Sequence, residues 1–283
     1  MNAIEIKGLV KKYDDKFQLG KLDLTIPKGV IVGLIGENGA GKTTLLKAIL
    51  NIIHIDSGTI KINGEDNKKE EKKENIGVVL DNMFFPEILN AKDIELAMRG
   101  MVKNWDTQAY YNYLKEFELP LDKPIKALSK GMRKKLEIVT ALSHHPDILI
   151  LDEATSGLDP VVRNEILDLF LNFIQDENHT IILSTHITSD LEHVADKIVF
   201  IDQGKIVLDQ DRDELIDHYG ILKCDPSQME QVKKEDYLCY KKNKYDVEFL
   251  VADREKMKKK YPNFVVDKVT LEELMLLMIK GVK

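Results

Sequence analysis

Cysteine is almost missing from this chain. Cys224 and Cys239 are the two present, and they lack the paired spacing of a metal site. A disulfide-stapled scaffold and a zinc module are therefore not expected, and both thiols are read as reduced, as in the cytosol. No apolar run approaches the ~20 residues needed to cross a bilayer. The opening stretch MNAIEIKGLVKK has no apolar core of the kind a signal peptide carries. Any service to a membrane is thus expected to come from the side, through a partner. Positive charge is also short: 41 Lys and Arg stand against 48 Asp and Glu, a formal net charge of −7. That balance argues against nucleic acid as the main partner, because a phosphate footprint needs a positive surplus. No internal repeat is visible.

What the chain does have is enough apolar material, 43% of 283 residues, for one large core or two modest ones. Residues 1–35 alternate polar and apolar side chains, as in AIEIKGLV and FQLGKLDLTI, which predicts short antiparallel strands. KGVIVGLIGENGAGKTTLLKAILNII then predicts a buried strand, a glycine-rich turn and a helix. SGTIKING and KIVFIDQGKIVLD are expected as hairpins, and EDNKKEEKKEN as a solvated loop or exposed turn to which no function is assigned. From Asn90 to about Glu118 the pattern turns helical, with Asn90 and Asp106 as N-caps. DILILDE and HTIILSTH are continuous apolar runs, the pattern of parallel strands buried on both faces. Beyond about Asp211 the sequence becomes charged and tyrosine-containing. It ends in a helical repeat of Leu271, Leu274, Met275 and Met278, whose spacing suits a core more than an interface.

The chemistry concentrates in a few short stretches. GENGAGKT, Gly36 to Thr43, fits G-x-x-x-x-G-K-[ST] between a predicted strand and a predicted helix. Gly36, Glu37, Asn38, Gly39, Ala40 and Gly41 would turn backbone N–H groups inward around phosphates at the positive end of a helix. Lys42 would reach the β- and γ-phosphates, and the Thr43 hydroxyl would ligate Mg²⁺, with Thr44 beside it. The chain is expected to bind a nucleoside triphosphate. ILILDE supplies a carboxylate at a buried strand end, Asp152, suited to holding Mg²⁺, and next to it Glu153, suited to general-base work on water. A GTPase reading fails on placement. NKYD at Asn243–Asp246 follows no apolar strand, and DHYG at Asp217–Gly220 comes far too late after Thr43.

Taken together over roughly residues 1–210, these motifs resemble the ATP-binding subunits of ABC transporters. LSKGM at 128–132 resembles that family's signature, SGLD at 156–159 its D-loop, and STH at 184–186 its switch histidine. Tyr13 stands where the family places an aromatic that stacks on adenine. The resemblance implies a P-loop α/β fold with an antiparallel β subdomain and an inserted helical subdomain at about 84–145. A small C-terminal α+β domain, 213–283, would follow the ATPase domain, 1–212. It implies ATP and Mg²⁺ as cofactors and a head-to-tail dimer of ATPase subunits, homo- or heterodimeric. In that dimer Ser129 and the Gly131 backbone would contact the γ-phosphate held by Lys42 of the opposite subunit. Asp159 would link the sites, and His186 would hydrogen-bond the γ-phosphate or the attacking water. A separate transmembrane subunit would use the cycle for transport from the cytoplasmic face.

Some positions depart from the family pattern. Lys130 and Met132 replace Gly and Gln of the signature, and Lys130 is expected to face solvent. Asp81 stands where the family has a glutamine that contacts Mg²⁺ and senses the partner, so a metal role for Asp81 stays open beside one in which it is held away. Phe84, Phe85 and Pro86 follow, near a docking groove or in core packing. These features, with NWD at 104–106, resemble the ABC-2 type exporters of drugs, bacitracin-like peptides and phenol-soluble modulins. The alternative is an ABC ATPase with no membrane partner, acting in translation, repair or immunity. Translation members usually carry two ATPase domains, and repair members usually carry coiled-coil or zinc insertions, neither of which is visible here.

Overall fold

The computed structural model describes residues 1–13, 17–69, 74–81 and 85–282. Its chain opens with β1 (Asn2–Lys12), β2 (Gln18–Pro27) and β3 (Ile31–Ile35), followed by α1 (Lys42–Ile49), β4 (Ser57–Ile62), β5 (Glu65–Asp66) and β6 (Ile76–Val79). β2, β1, β4 and β5 form an antiparallel sheet in that order, and β4 and β5 pair as the expected hairpin. Helices α2 (Ala91–Met101), α3 (Thr107–Glu116) and α4 (Lys130–Leu142) come next. Their starts obey the capping chemistry read from sequence. The Asn90 side chain accepts from Lys92 N and Asp93 N at 2.9 and 3.0 Å, and Asp106 accepts from Ala109 N at 2.9 Å. These helices gather round Ile94, Tyr110, Leu114, Ile125, Leu136 and Val139.

The chain then returns to the central sheet through β7 (Ile148–Asp152), α5 (Pro160–Phe173), β8 (Thr180–Ser184), α6 (Thr188–Val194), β9 (Lys197–Asp202) and β10 (Lys205–Asp211). The sheet order is β10-β9-β3-β8-β7-β6, parallel except for the β9–β10 hairpin. Every residue of β3, β7 and β8 is buried, as their unbroken apolar runs require. Alternate side chains leave opposite faces. Val32, Leu34, Ile150 and Ile182 pack toward α1 and the antiparallel sheet, while Leu149, Leu151 and Leu183 pack toward α5 and α6. Parallel strands therefore end together along one edge, where Ile35 leads into the glycine loop and Asp152 and Ser184 sit paired.

The last stretch forms α7 (Arg212–His218), β11 (Gly220–Cys224), β12 (Cys239–Lys242), β13 (Val247–Val251), α8 (Arg254–Lys260), β14 (Val265–Lys268) and α9 (Leu271–Lys280). Its antiparallel sheet runs β12-β13-β11-β14. Leu271 and Leu274 of α9 are buried in the same apolar cluster as Leu191, Val194 and Phe200, with Met275 and Met278 packed against it. The helical repeat is core. Asn243 and Asp246 of NKYD bond to one another across the β12–β13 turn, Asn243 N donating to Asp246 O at 2.9 Å. The motif is a hairpin device.

One expectation is corrected in part. Residues 70–73 of EDNKKEEKKEN lie outside the described residues, but its start is not a solvated loop: Glu65 and Asp66 pair with β4, and Asn67 is buried. The Asn67 Nδ2 donates to Ala48 O and Ile49 O, both at 2.9 Å, at the C-terminal end of α1, where Ala48 O also accepts from Asn51 N at 3.0 Å.

Candidate nucleotide site

The glycine loop leaves the end of β3 and enters α1 as predicted. A Cβ on Gly36 would overlap the Ile201 carbonyl oxygen, so only glycine lets β3 and β9 lie this close there. Gly41, the residue before α1, has φ 114°, in the region open to glycine. Gly204 N, in the β9–β10 turn, donates to Ala40 O at 2.9 Å, and Ala40 N donates to Glu37 O at 3.1 Å. Lys42 is buried, and its Nζ donates to Gly36 O at 2.8 Å and Glu37 O at 3.2 Å. Burial pulls the Lys42 ammonium below its ordinary pKa, opposed by the charges of Glu153 and Asp152. A cation short of anionic hydrogen-bond partners, at the start of a helix, is arranged to receive phosphate.

Across the loop, Thr43 Oγ1 donates to Asp152 Oδ2 at 2.7 Å. Asp152 is 1% exposed, and its Oδ1 is buried without a hydrogen-bond partner. A carboxylate oxygen left bare in a near-dry site calls for a cation, and two oxygen donors suit a hard one. Among the described residues no group of three or more His, Cys, Asp or Glu side chains is placed to hold a metal. Mg²⁺ fits that donor set, since it takes one or two protein oxygens and fills its shell with phosphate and water.

Glu153 follows with φ 54°, a left-handed backbone costing a non-glycine residue about 1–3 kcal/mol. Its N–H donates to Ser184 O at 2.8 Å, which turns the side chain out of the strand. There Glu153 Oε2 accepts from His186 Nδ1 at 2.7 Å. A cavity of about 480 Å³ unites Tyr13, Asn38, Gly39, Gly41, Lys42, Thr43, Thr44, Asp81, Asp152 and Glu153. Phe17 lines it as well, its ring 6.4 Å from that of Tyr13. The sequence carried no signal for Phe17 beyond an aromatic near Tyr13. Gly36, Glu37 and Ala40 shape the loop behind this cavity.

Ser129, Gly131 and Asp159 do not line it. Ser129 is exposed at the head of α4, its Oγ accepting from Met132 N at 3.2 Å. Asp159 heads α5, accepting from Val161 N and Val162 N at 3.1 Å. The two helix heads touch where Gly131 faces Val162: a Cβ there would lie 3.0 Å from Val162 Cγ1. Lys130 is exposed as expected, with its Nζ over Gly157 of the SGLD turn. Phe84 lies outside the described residues. Phe85 packs against the helical cluster and also lines a second, mostly apolar cleft of about 570 Å³ with Val78, Leu80, Met98, Glu137 and His144. Burial raises the Glu137 carboxyl and lowers the His144 imidazole from their ordinary pKa values.

A strand–glycine loop–helix with Lys42 at the head of the helix and an acidic strand end facing it defines a P-loop nucleotide-binding protein. The comparisons narrow that class. Residues 19–156 match the family model described as ABC transporter. The ABC transporter ATP-binding protein YtrB of Bacillus subtilis (strain 168) is 33% identical over 218 residues, 76% of this chain and 74% of YtrB. The lantibiotic transport ATP-binding protein SrtF of Streptococcus pyogenes is 34% identical over 211 residues, 74% of this chain and 91% of SrtF. Among solved structures, CbiO1 of Clostridium perfringens, described as part of the ABC transporter complex CbiONQ, aligns with a TM-score of 0.64. It is 26% identical and covers 76% of this chain and 90% of its own. The chain belongs to the ABC transporter family, as an ATP-binding subunit that hydrolyses ATP to ADP and phosphate. No helix among the described residues is long and apolar enough to cross a membrane.

Proposed function

We propose that this subunit powers export by a separate transmembrane chain, working as a head-to-tail pair that encloses two ATP molecules. The observation carrying this reading is the head of α4, where Ser129 and Lys130 are exposed. Ser129 and the buried Gly131 behind it form a helix N-terminus suited to an anion, yet they stand outside the chain's own nucleotide cavity. A second subunit brings its phosphate to them, and the neighbouring Asp159 meets the opposite site. Residues 1–212 are the ATPase unit in this scheme and 213–283 an accessory unit.

Within each site the adenine stacks on Tyr13, with Phe17 beside it. The N–H groups of Asn38 to Thr44 and the Lys42 ammonium hold the phosphates. Thr43 and Asp152 would hold Mg²⁺, with Asp81 at its margin, and the ion would supply positive charge to offset that of the phosphates. Glu153 takes a proton from the attacking water as the water oxygen bonds to the γ-phosphorus and ADP leaves. His186 keeps the Glu153 carboxylate aimed and meets the γ-phosphate at the rim. Product release opens the pair.

The apolar cleft beside Phe85 is the seat of a cytoplasmic segment of the transmembrane subunit. Leu80, the residue before Asp81, lines it, so an occupant there would sit one residue along the chain from the margin of the nucleotide cavity. Transport is favoured over the partner-free alternative by relatives named for lantibiotic and bacitracin transport, and its outward direction by a relative named for Nod factor export.

Glu153→Gln tests the scheme. With ATP it should form a stable dimer on size-exclusion chromatography, lose turnover by at least ~10²-fold, and retain a polytopic membrane protein when purified from detergent-solubilised membranes. A variant that turns over ATP at the wild-type rate would refute Glu153 as base. A dimer that retains a ribosome or no membrane protein would refute the partner.

A further inference from the structure

The Glu153–His186 hydrogen bond joins two loops that lie far apart in sequence, and an exposed contact does not hold two loops in register by itself. The polar cluster beneath it does. Asp190, in the first turn of α6, is 1% exposed. Its Oδ2 accepts from Thr155 Oγ1 at 2.6 Å, and Thr155, two residues beyond Glu153, is wholly buried. Its Oδ1 accepts from the Arg163 guanidinium of α5. Arg163 Nη2 also donates to Ser189 Oγ at 2.6 Å. One carboxylate thus ties the loop after Glu153, the segment after His186 and the helix headed by Asp159.

A buried ion pair is a poor source of net stability, because desolvation consumes most of the attraction. What such a pair does supply is a single geometry, since each partner has one place to put its charge. We propose that Asp190, with Arg163 and Thr155, is a positioning device that sets the distance and direction between Glu153 and His186. It also transmits the position of the Asp159 helix to that pair. The inference rests on the assignment of Glu153 and His186 given above. It assigns no contact with ATP to Asp190, since neither Asp190 nor its partners Thr155 and Arg163 line the nucleotide cavity. The phosphate loop, held by Lys42 and the β9–β10 turn, is untouched by it. Binding and turnover should therefore separate.

The test compares the full chain with Asp190→Asn, His186→Ala and the double variant, reading kcat and KM for ATP together with nucleotide Kd from a fluorescent ATP analogue. Asparagine keeps the shape and removes the charge. The expected result for Asp190→Asn is a kcat lower by about ten- to a hundred-fold, the range for slight misplacement of a catalytic group. Kd should stay within about two-fold, and no further loss should appear when His186 is already alanine. Should Asp190→Asn fail to fold, Thr155→Val removes one hydroxyl at constant shape and should show a smaller loss with the same pattern. An unchanged kcat, a Kd that weakens in step with kcat, or the same fractional loss in both backgrounds overturns the proposal. Wild-type turnover by His186→Ala is a different failure: it removes the pair itself, and this inference with it.

Discussion

Lys42 shows how much a single residue carries in this fold. Its charge is buried, and its Nζ donates to two backbone carbonyls, Gly36 O and Glu37 O. Those carbonyls are weak substitutes for phosphate oxygens, which offer charge-assisted bonds. Lys42→Ala should weaken ATP binding by about ten- to a hundred-fold, the worth of about 1.5–3 kcal/mol for hydrogen bonds to a charged group. A titration with fluorescent ATP reads the loss directly, and unchanged affinity would sink the phosphate role of the loop. Lys42, Thr43, Asp152 and Glu153 were legible in sequence because each sits within a few residues of the strand end or turn that places it. Phe17 and Asp190 were not. Phe17 reaches the cavity only because β2 returns past the glycine loop, and Asp190 acts on residues 27 and 35 positions away.

Elements in this protein are joined by polar stitches between segments distant in sequence. Asn67 is the clearest case, a buried side chain from a charged run that bonds to the end of α1. Asn67→Ala should lower stability by about 2 kcal/mol, the loss of two buried hydrogen bonds with partly satisfied acceptors. Urea denaturation measures this, and a change within error would mean water replaces the amide. The nucleotide cavity should keep its shape in this variant at low temperature, since α1 is also held by Leu45, Leu46 and Ile49 in the core. The caps of α2 and α3 were readable from Asn90 and Asp106, because capping is settled within one turn of chain. The partner of Asn67 was not readable, because nothing local in EDNKKEEKKEN distinguishes a buried asparagine from its solvated neighbours.

At the level of the whole molecule, the C-terminal stretch is bound into the main core by α9. Leu274 is fully buried in the cluster that also holds Leu191 and Phe200, and Leu271 and Leu277 flank it. Leu274→Ala should cost about 2–5 kcal/mol, the transfer loss plus the cavity left behind. The single tryptophan, Trp105, lies in the helical part far along the chain from α9. If one cooperative unit unfolds, the Trp105 fluorescence midpoint and the circular dichroism midpoint should fall together in Leu274→Ala. A fluorescence midpoint that stays put would mean that the C-terminal sheet melts on its own.

Sequence by itself determined what is set by near neighbours along the chain: the glycine loop, the capped helices, the strands buried on both faces, and the acidic pair at a strand end. Backbone dihedrals, capping bonds and side-chain periodicity act over one turn or one strand, so their residues appear together in the text of the chain. Tertiary structure alone decided which remote segments meet. It put Asp81 and Phe17 in the cavity with the phosphate loop, left Ser129 and Asp159 outside it, and laid Asp190 beneath Glu153 and His186. Those placements follow from how the sheets and helices pack, where the gain from burying apolar surface fixes the geometry and the polar groups are fitted to it.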